Sequence, residues 1–336
     1  MKRILLVTAC LTALFGLSAC EQEDIGAFAE GSVSVSVRGS VPVGTKVSTA
    51  AETYEGQVNS LQLFVFDGNG DIVGYGRAGG PSATIEKVPV GIYTLAVVAN
   101  NAADLSSTGS LEALRGTTMA LGANSTTASA GFLMYGEKSG VAVKVSGTSE
   151  SIVVTRFPAR ISLVSVTNGV TSGPKTLVVK AALLINGLGT WNYGAEGEAA
   201  GNVNPAGEKG ERIMAAAADA DEPDLTFSDL GNTPVTGTVS FNRRFYSFPK
   251  AAVDTDVFGS NVGGNVRLSV LATVNGKDYW YPVTIAGIDR NKCYDVSLTI
   301  TGPGSSHPNT PVISGHVTAS VSVSEWRLGA AYGEMI

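Results

Sequence analysis

Near each end of the chain, valine alternates with hydroxyl residues, and this pattern limits the possible folds more than any other feature. Residues Val317 to Trp326 read Val-Thr-Ala-Ser-Val-Ser-Val-Ser-Glu-Trp, and Ser32 to Arg38 read Ser-Val-Ser-Val-Ser-Val-Arg. Successive side chains of an extended strand point to opposite faces. Val317, Ala319, Val321 and Val323 therefore form one apolar row, and Val33, Val35 and Val37 form another. Two terminal strands of the same chemistry can fill the same slot. One would occupy its own subunit's groove until it is removed, and the other would enter a neighbour's groove afterwards. Pairing of Val317 to Trp326 within its own sandwich fits the pattern equally well.

The rest of the chain is consistent with a β-protein. Its 336 residues allow two domains of ordinary size, and 44% hydrophobic residues allow each a sizeable core. Charged residues make up only 15% while 41 residues are glycine, a balance that favours short strands and tight turns over helices. A formal net charge of -6 without runs of Lys or Arg argues against a nucleic-acid partner.

The N-terminus sets the expected compartment. Lys2 and Arg3 precede an apolar stretch from Ile4 to Leu17, too short to span a bilayer comfortably, which ends in Leu17-Ser18-Ala19-Cys20. That tetrapeptide matches a bacterial lipobox, so a signal peptide of residues 1–19 is expected to be cut between Ala19 and Cys20. Cys20 is then the acylated first residue of an exported form on a membrane leaflet. Cys10 leaves with the signal, which makes Cys293 the one remaining thiol, read as a small half-buried residue at a strand start rather than a nucleophile.

Along the chain, Gly39 to Asn59 reads as an exposed connector containing Lys46, with Arg38 directly before it. Leu61, Leu63 and Val65 form one face of a strand from Ser60 to Phe66, Phe64 and Phe66 form the other, and this strand is expected to flank the first strand as part of the groove's wall. The turn Asp67 to Asp71 leads into Ile72 to Tyr75 as a hairpin. Further strands are predicted at 83–87, 91–99 and 141–145, with a short helix over 104–114 that turns Leu111 and Leu114 inward. Ser151 to Val164 divides into two strands at Pro158, which places a domain boundary there. The second sandwich runs through 176–185, 235–248, 265–274, 278–285, 294–301 and the last strand. Tyr193 to Asp229 interrupts it as a surface excursion with a helical turn at Arg212 to Ala218.

Motifs that would carry chemistry fail on inspection. Gly74 to Gly79 has dinucleotide-fingerprint spacing, but Gly80 and Pro81 follow where a helix should open. The turn Asp67 to Asp71 begins like a calcium loop, yet Ile72 and Ala78 stand where Gly and Glu are required. His307 and His316 lack partners at metal spacing. No metal, cofactor or enzymatic activity is expected. Trp191, Trp280 and Tyr281 are the candidates for an aromatic glycan platform on a monomeric surface lipoprotein, the alternative function.

Tyr294-Asp-Val-Ser-Leu-Thr-Ile-Thr-Gly-Pro-Gly followed by the strand ending Ser324-Glu325-Trp326 resembles the C-terminal region of fimbrillin, the major fimbrium subunit of Bacteroidales type V pili. Leu61-Gln-Leu-Phe-Val-Phe-Asp and the junction Arg156-Phe157-Pro158-Ala159-Arg160-Ile161 are similar to its N-terminal half. The resemblance implies an all-β lipoprotein precursor of two tandem transthyretin-like Greek-key β-sandwich domains with short helices in loops. The segments are a propeptide of 20–46 with a removable first strand, an N-terminal domain of 47–157, and a C-terminal domain of 158–336 that includes a donor-strand region of 312–336. It further implies a structural pilin of a cell-surface fimbria that serves adhesion, colonisation or biofilm formation. Partners would be other copies of the chain, accessory fimbrial subunits, a maturation protease, host or bacterial surface ligands, and the outer membrane through the precursor's lipid. An anchor or accessory fimbrial role is a second alternative. In that family an arginine-specific protease removes the first strand, and a C-terminal strand of another subunit enters the groove. Here Lys46 stands near the expected cleavage position and is preferred, with Arg38 the alternative. The removable strand is Val33, Val35 and Val37, and the donor strand is Val317, Ala319, Val321, Val323 and Trp326.

Overall fold

The structure, a computed structural model, describes residues 29–39, 53–124, 131–194, 202–203, 227–253, 264–313 and 315–326. The N-terminal half contains β1 (Glu30–Gly39), α1 (Thr53–Gly56), β2 (Ser60–Phe66), β3 (Ile72–Gly79), β4 (Ser82–Pro89), β5 (Gly91–Ala99), α2 (Leu111–Gly116), β6 (Thr118–Ala120), β7 (Met134–Val143) and β8 (Thr148–Arg156). Its seven longer strands join in the order β3-β2-β5-β7-β8-β1-β4. They do not lie flat. The link between β7 and β8 is only two residue pairs wide, Met134 with Arg156 and Tyr135 with Thr155, and there the sheet turns a corner. The layer β8-β1-β4 thus faces the layer β3-β2-β5-β7. Between them lie Val33, Val35 and Val37 of β1, Leu61, Leu63 and Val65 of β2, Leu95 and Val97 of β5, and Ile152 and Val154 of β8.

Two glycines permit this closure. At the corner, a Cβ on Gly136 would stand 2.2 Å from the Val153 carbonyl oxygen. At the opposite side β3 comes up against β4, where a Cβ on Gly76 would meet Ile85 Cγ1 at 2.9 Å. The tight turn after β2 is held by Asp67, whose Oδ1 accepts the backbone N–H groups of Asn69 and Asp71. That carboxylate orders a hairpin.

The second half contains β9 (Ala159–Asn168), β10 (Leu177–Ile185), β11 (Gly187–Leu188), β12 (Thr190–Asn192), β13 (Asn202–Val203), β14 (Phe227–Pro234), β15 (Thr238–Ser247), β16 (Val266–Val274), β17 (Lys277–Ile285), β18 (Lys292–Ile300) and β19 (Val317–Glu325). Two four-stranded sheets, β14-β10-β16-β17 and β15-β9-β18-β19, enclose a core built on residues such as Ile161, Leu163, Val179, Leu184, Leu268, Val270, Val296 and Leu298. Short pairs, β11 with β13 and β12 with β6, lie outside these sheets, and the second ties the two halves together. The expected all-β sandwich architecture is borne out.

Several elements differ from their expected bounds. The strand expected at 141–145 is the end of β7, which runs from Met134 to Val143. The expected helix over 104–114 is a single 3-10 turn at Ser106–Thr108 followed by α2, interrupted where Gly109 adopts a φ of +76°. Ser110 caps α2 by accepting the Ala113 N–H at 3.1 Å, and Leu114 is buried while Leu111 is half-buried. The strand expected over 235–248 is β15, and β14 precedes it, starting within the stretch read as a surface excursion. Only Leu230 of β14 is buried, so this edge strand carries no apolar row to announce it. The helical turn expected at 212–218 lies outside the described residues. Cys293 is fully buried, not half-buried, because it packs at the joint between the two halves.

Gly136→Ala should lower the unfolding free energy by about 1–3 kcal/mol by forcing the corner apart, measured as a shift in urea midpoint. An unchanged midpoint would show that the close approach at the corner is not needed.

Candidate functional site

The first strand sits in the middle of a layer. β1 pairs antiparallel with β4, Val33 opposite Ile85 and Val35 opposite Ala83, and parallel with β8, Val35 opposite Glu150 and Val37 opposite Ile152. Its serines look outward, and Ser34 Oγ shares a hydrogen bond of 2.9 Å with Thr84 Oγ1. Its valines look inward and are 0%, 1% and 8% exposed at Val33, Val35 and Val37. Without β1, the facing edges of β4 and β8 would both carry unpaired backbone groups above an open core. Arg38 is exposed at the far end of the strand. Lys46, Ala19 and Cys20 lie outside the described residues.

The wall of this slot is not what the sequence suggests. Leu61 to Phe66 is expected to flank the first strand, yet β2 lies in the opposite layer and supplies the floor. The flanking strands are β4 and β8. Parallel pairing with a strand more than a hundred residues away leaves no local signal in the sequence.

The last strand is held quite differently. β19 pairs along its full length with β18, from Ile300 opposite Val317 to Lys292 opposite Glu325, and it ends its sheet. Directly opposite residues of an antiparallel pair share a face. Val317, Ala319, Val321 and Val323 therefore look to the same side as Ile300, Leu298, Val296 and Tyr294, all of which are in the core. Val317 is half-buried, but Ala319, Val321 and Val323 are exposed, the last two at 38% and 49%. The facing sheet does not cover them. Most of an apolar row of the β1 spacing thus stands uncovered, beside a strand edge that is unpaired among the described residues.

Trp326, the next residue, is fully buried at the joint between the two halves. The joint is a continuous apolar cluster of Phe64, Phe66, Ala96 and Val98 from the outer face of β2 and β5, Phe132 and Phe157 near the junction, and Trp191, Tyr193, Tyr246 and Phe248 from the second half. At its centre lies a buried carboxylate. Glu55, on α1, accepts from Arg160 Nη1 at 2.8 Å, Tyr246 Oη at 3.1 Å and Trp326 Nε1 at 3.2 Å, with Arg244 Nε 3.7 Å away. Arg156 Nε donates to the Glu55 carbonyl, and Arg156 Nη1 donates to the Trp326 carbonyl at 2.9 Å and to Asn291 Oδ1 at 3.0 Å. Burial pulls the Arg156 guanidinium down to about 10, against the opposing pull of the Glu55 charge, which leaves it protonated at neutral pH. Buried charges persist only when paired in this way. Sequence reasoning missed Glu55. Arg156 and Arg160, set among Phe157, Ala159 and Ile161, were the available signal that a buried counter-charge was needed.

Trp191, Trp280 and Tyr281 are 3%, 2% and 0% exposed, in three separate clusters. None presents a ring face to solvent, so they pack within the sheets and do not form the aromatic platform of the alternative reading.

Residues 29–181 match the profile of the major fimbrial subunit protein FimA. That match takes in a little under half of the chain, from β1 into β10. The fimbrillin resemblance read from the sequence is thereby borne out. Among curated proteins, the major fimbrium subunit FimA type-2 of Porphyromonas gingivalis is 40% identical over 63 residues, which cover 18% of this chain and 16% of that relative's length. Among solved structures, a candidate cell adhesion protein from Bacteroides eggerthii superposes with a TM-score of 0.64 at 18% identity, covering 88% of this chain and 96% of its own. A fimbrilin from Porphyromonas gingivalis superposes with a TM-score of 0.58 at 16% identity, covering 89% and 98%. At such identities the superpositions establish a shared fold. The FimA family is one of structural subunits, not of enzymes.

Val35→Asp, which places a carboxylate in the dry slot, should destabilise the uncleaved chain by about 3 kcal/mol or more. Thermal unfolding checks this, and an unchanged midpoint would mean the slot is wet.

Proposed function

We propose that the protein is a structural pilin subunit of a cell-surface fimbria, assembled by strand exchange after proteolysis. The chain is exported as a lipoprotein, cut between Ala19 and Cys20 and acylated at Cys20, and carried to the outer membrane. A protease then cuts the connector at Lys46 or after Arg38, and β1 leaves. A strand of the neighbour's 312–336 region, with Val317, Ala319, Val321 and Val323 as its apolar row, enters between β4 and β8.

The observation that carries this reading is the contrast between two strands of like pattern. The valines of β1 are buried in a slot with a partner on each edge, whereas the matching row of β19 is uncovered and its outer edge unpaired among the described residues. Seating three small apolar side chains in the slot is worth about 1.5–3 kcal/mol each at most, and each ladder hydrogen bond about 1 kcal/mol. That is of the order of a domain's whole stability. Donor and acceptor surfaces differ, so the contact is heterologous and repeats into an open filament. In this reading the domains are 47–157 and 158–336, partners are other copies and accessory fimbrial subunits, and the filament serves adhesion to host or bacterial surfaces. A surface lipoprotein that binds glycans through Trp191, Trp280 and Tyr281 is disfavoured by the burial of all three.

Val321→Asp tests the donor directly. Its side chain is exposed in the single chain, so the monomer's midpoint should move by no more than about 0.5 kcal/mol. Filament formation after cleavage should nevertheless be lost, as it should on deletion of 312–336. Filaments of normal yield from Val321→Asp would exclude β19 as the inserted strand.

A further inference from the structure

β19 has little to hold it. One edge is paired with β18, the other is unpaired among the described residues, and most of its side chains are exposed. Its root is the opposite. Trp326 stacks on Tyr246 at 5.7 Å between ring centroids, meets Phe132 edge-on at 5.4 Å, and lies under the Arg156 guanidinium at 4.5 Å. Its backbone N–H donates to the Asn291 carbonyl at 3.1 Å, its carbonyl accepts from Arg156, and its indole N–H reaches Glu55. Every polar group of this tryptophan is engaged.

A strand fixed at both ends in its own subunit cannot be threaded through another's slot. For β19 to leave β18, Trp326 has to come out of the joint. Glu55 holds that tryptophan's indole and also the backbone-facing arginines, through its carboxylate on Arg160 and its carbonyl on Arg156. It does so from α1, which lies within the stretch 39–59 read from the sequence as an exposed connector, although Glu55 and Val58 are buried.

We propose that Glu55 is the retaining residue of the C-terminal strand, a latch that acts through Trp326 and keeps β19 in its own subunit until assembly. The latch adds to the strand-exchange reading a control point at the donor end, separate from the removal of β1 at the acceptor end. It also connects the two ends of the described chain physically, since Glu55 of α1 accepts the indole N–H of Trp326, the residue after β19, while paired with Arg160. Weakening it should free β19 locally without loosening the sandwich core.

Hydrogen exchange with mass spectrometry on the uncleaved chain tests this without any filament, so a failure of assembly has no bearing on the result. Glu55→Gln keeps the shape but removes the charge, and Trp326→Phe keeps a ring but removes the indole N–H. Both should speed exchange over Val317–Glu325 by about tenfold, while Val266–Val274 of β16 in the same molecule changes by less than about twofold. Unchanged exchange over Val317–Glu325 in both variants would overturn the proposal, as would an equal rise in β16, which marks general destabilisation rather than a latch.

Discussion

The seating of β1 between β4 and β8 is the contact on which the rest of the N-terminal half depends. Three valines from one strand close a core whose other sides are β2, β5 and the corner at Gly136. The strand is central in its layer, so its loss strips partners from two edges at once. Few strands are so placed that removing them exposes both unpaired backbone and core side chains while leaving the remaining sheet connected. Here the connection survives through β7 and β8, and β4 still abuts β3. In the strand-exchange reading proposed above, such a sandwich loses one strand and remains a receptacle.

The two halves then act as one body. Apolar side chains from the outer face of β2 and β5 meet the aromatic residues of the second half, and the Glu55 cluster sits within that joint. A buried ion pair contributes little net stability, since desolvation offsets most of its attraction, but losing one partner is costly. The cluster therefore serves position more than stability. It fixes the strand junction at Arg156 and Arg160 and the root of β19 relative to each other. In the proposed filament, force entering a subunit at the slot and leaving at its C-terminal region would pass through this joint.

Much of this was legible in the sequence, and what was not has physical causes. Alternation marked β1 and β19, each with one apolar row, and a nearly continuous apolar run marked β2, which is buried on both faces. The two faces of β2 separated as expected, Leu61, Leu63 and Val65 into one core and Phe64 and Phe66 into another. Pro158 marked the break between β8 and β9. Edge strands with mostly exposed side chains, such as β14, carry no such period and were missed. The slot's true walls were also hidden, since a parallel pairing of β1 with β8 is decided by the whole topology and not by any local pattern. Glu55 looked like one more polar residue of the connector. Only its burial against two arginines separated by four positions reveals its place.

The most direct test of the central claim is a gel of filament material sheared from cells, run unboiled and boiled and probed for this chain. Strand exchange predicts an unboiled ladder that collapses on boiling to one band lighter than the precursor, whose N-terminal residue lies just beyond Arg38 or Lys46. A single unboiled monomer that still carries β1 would contradict it and leave β19 as a strand that completes only its own sheet.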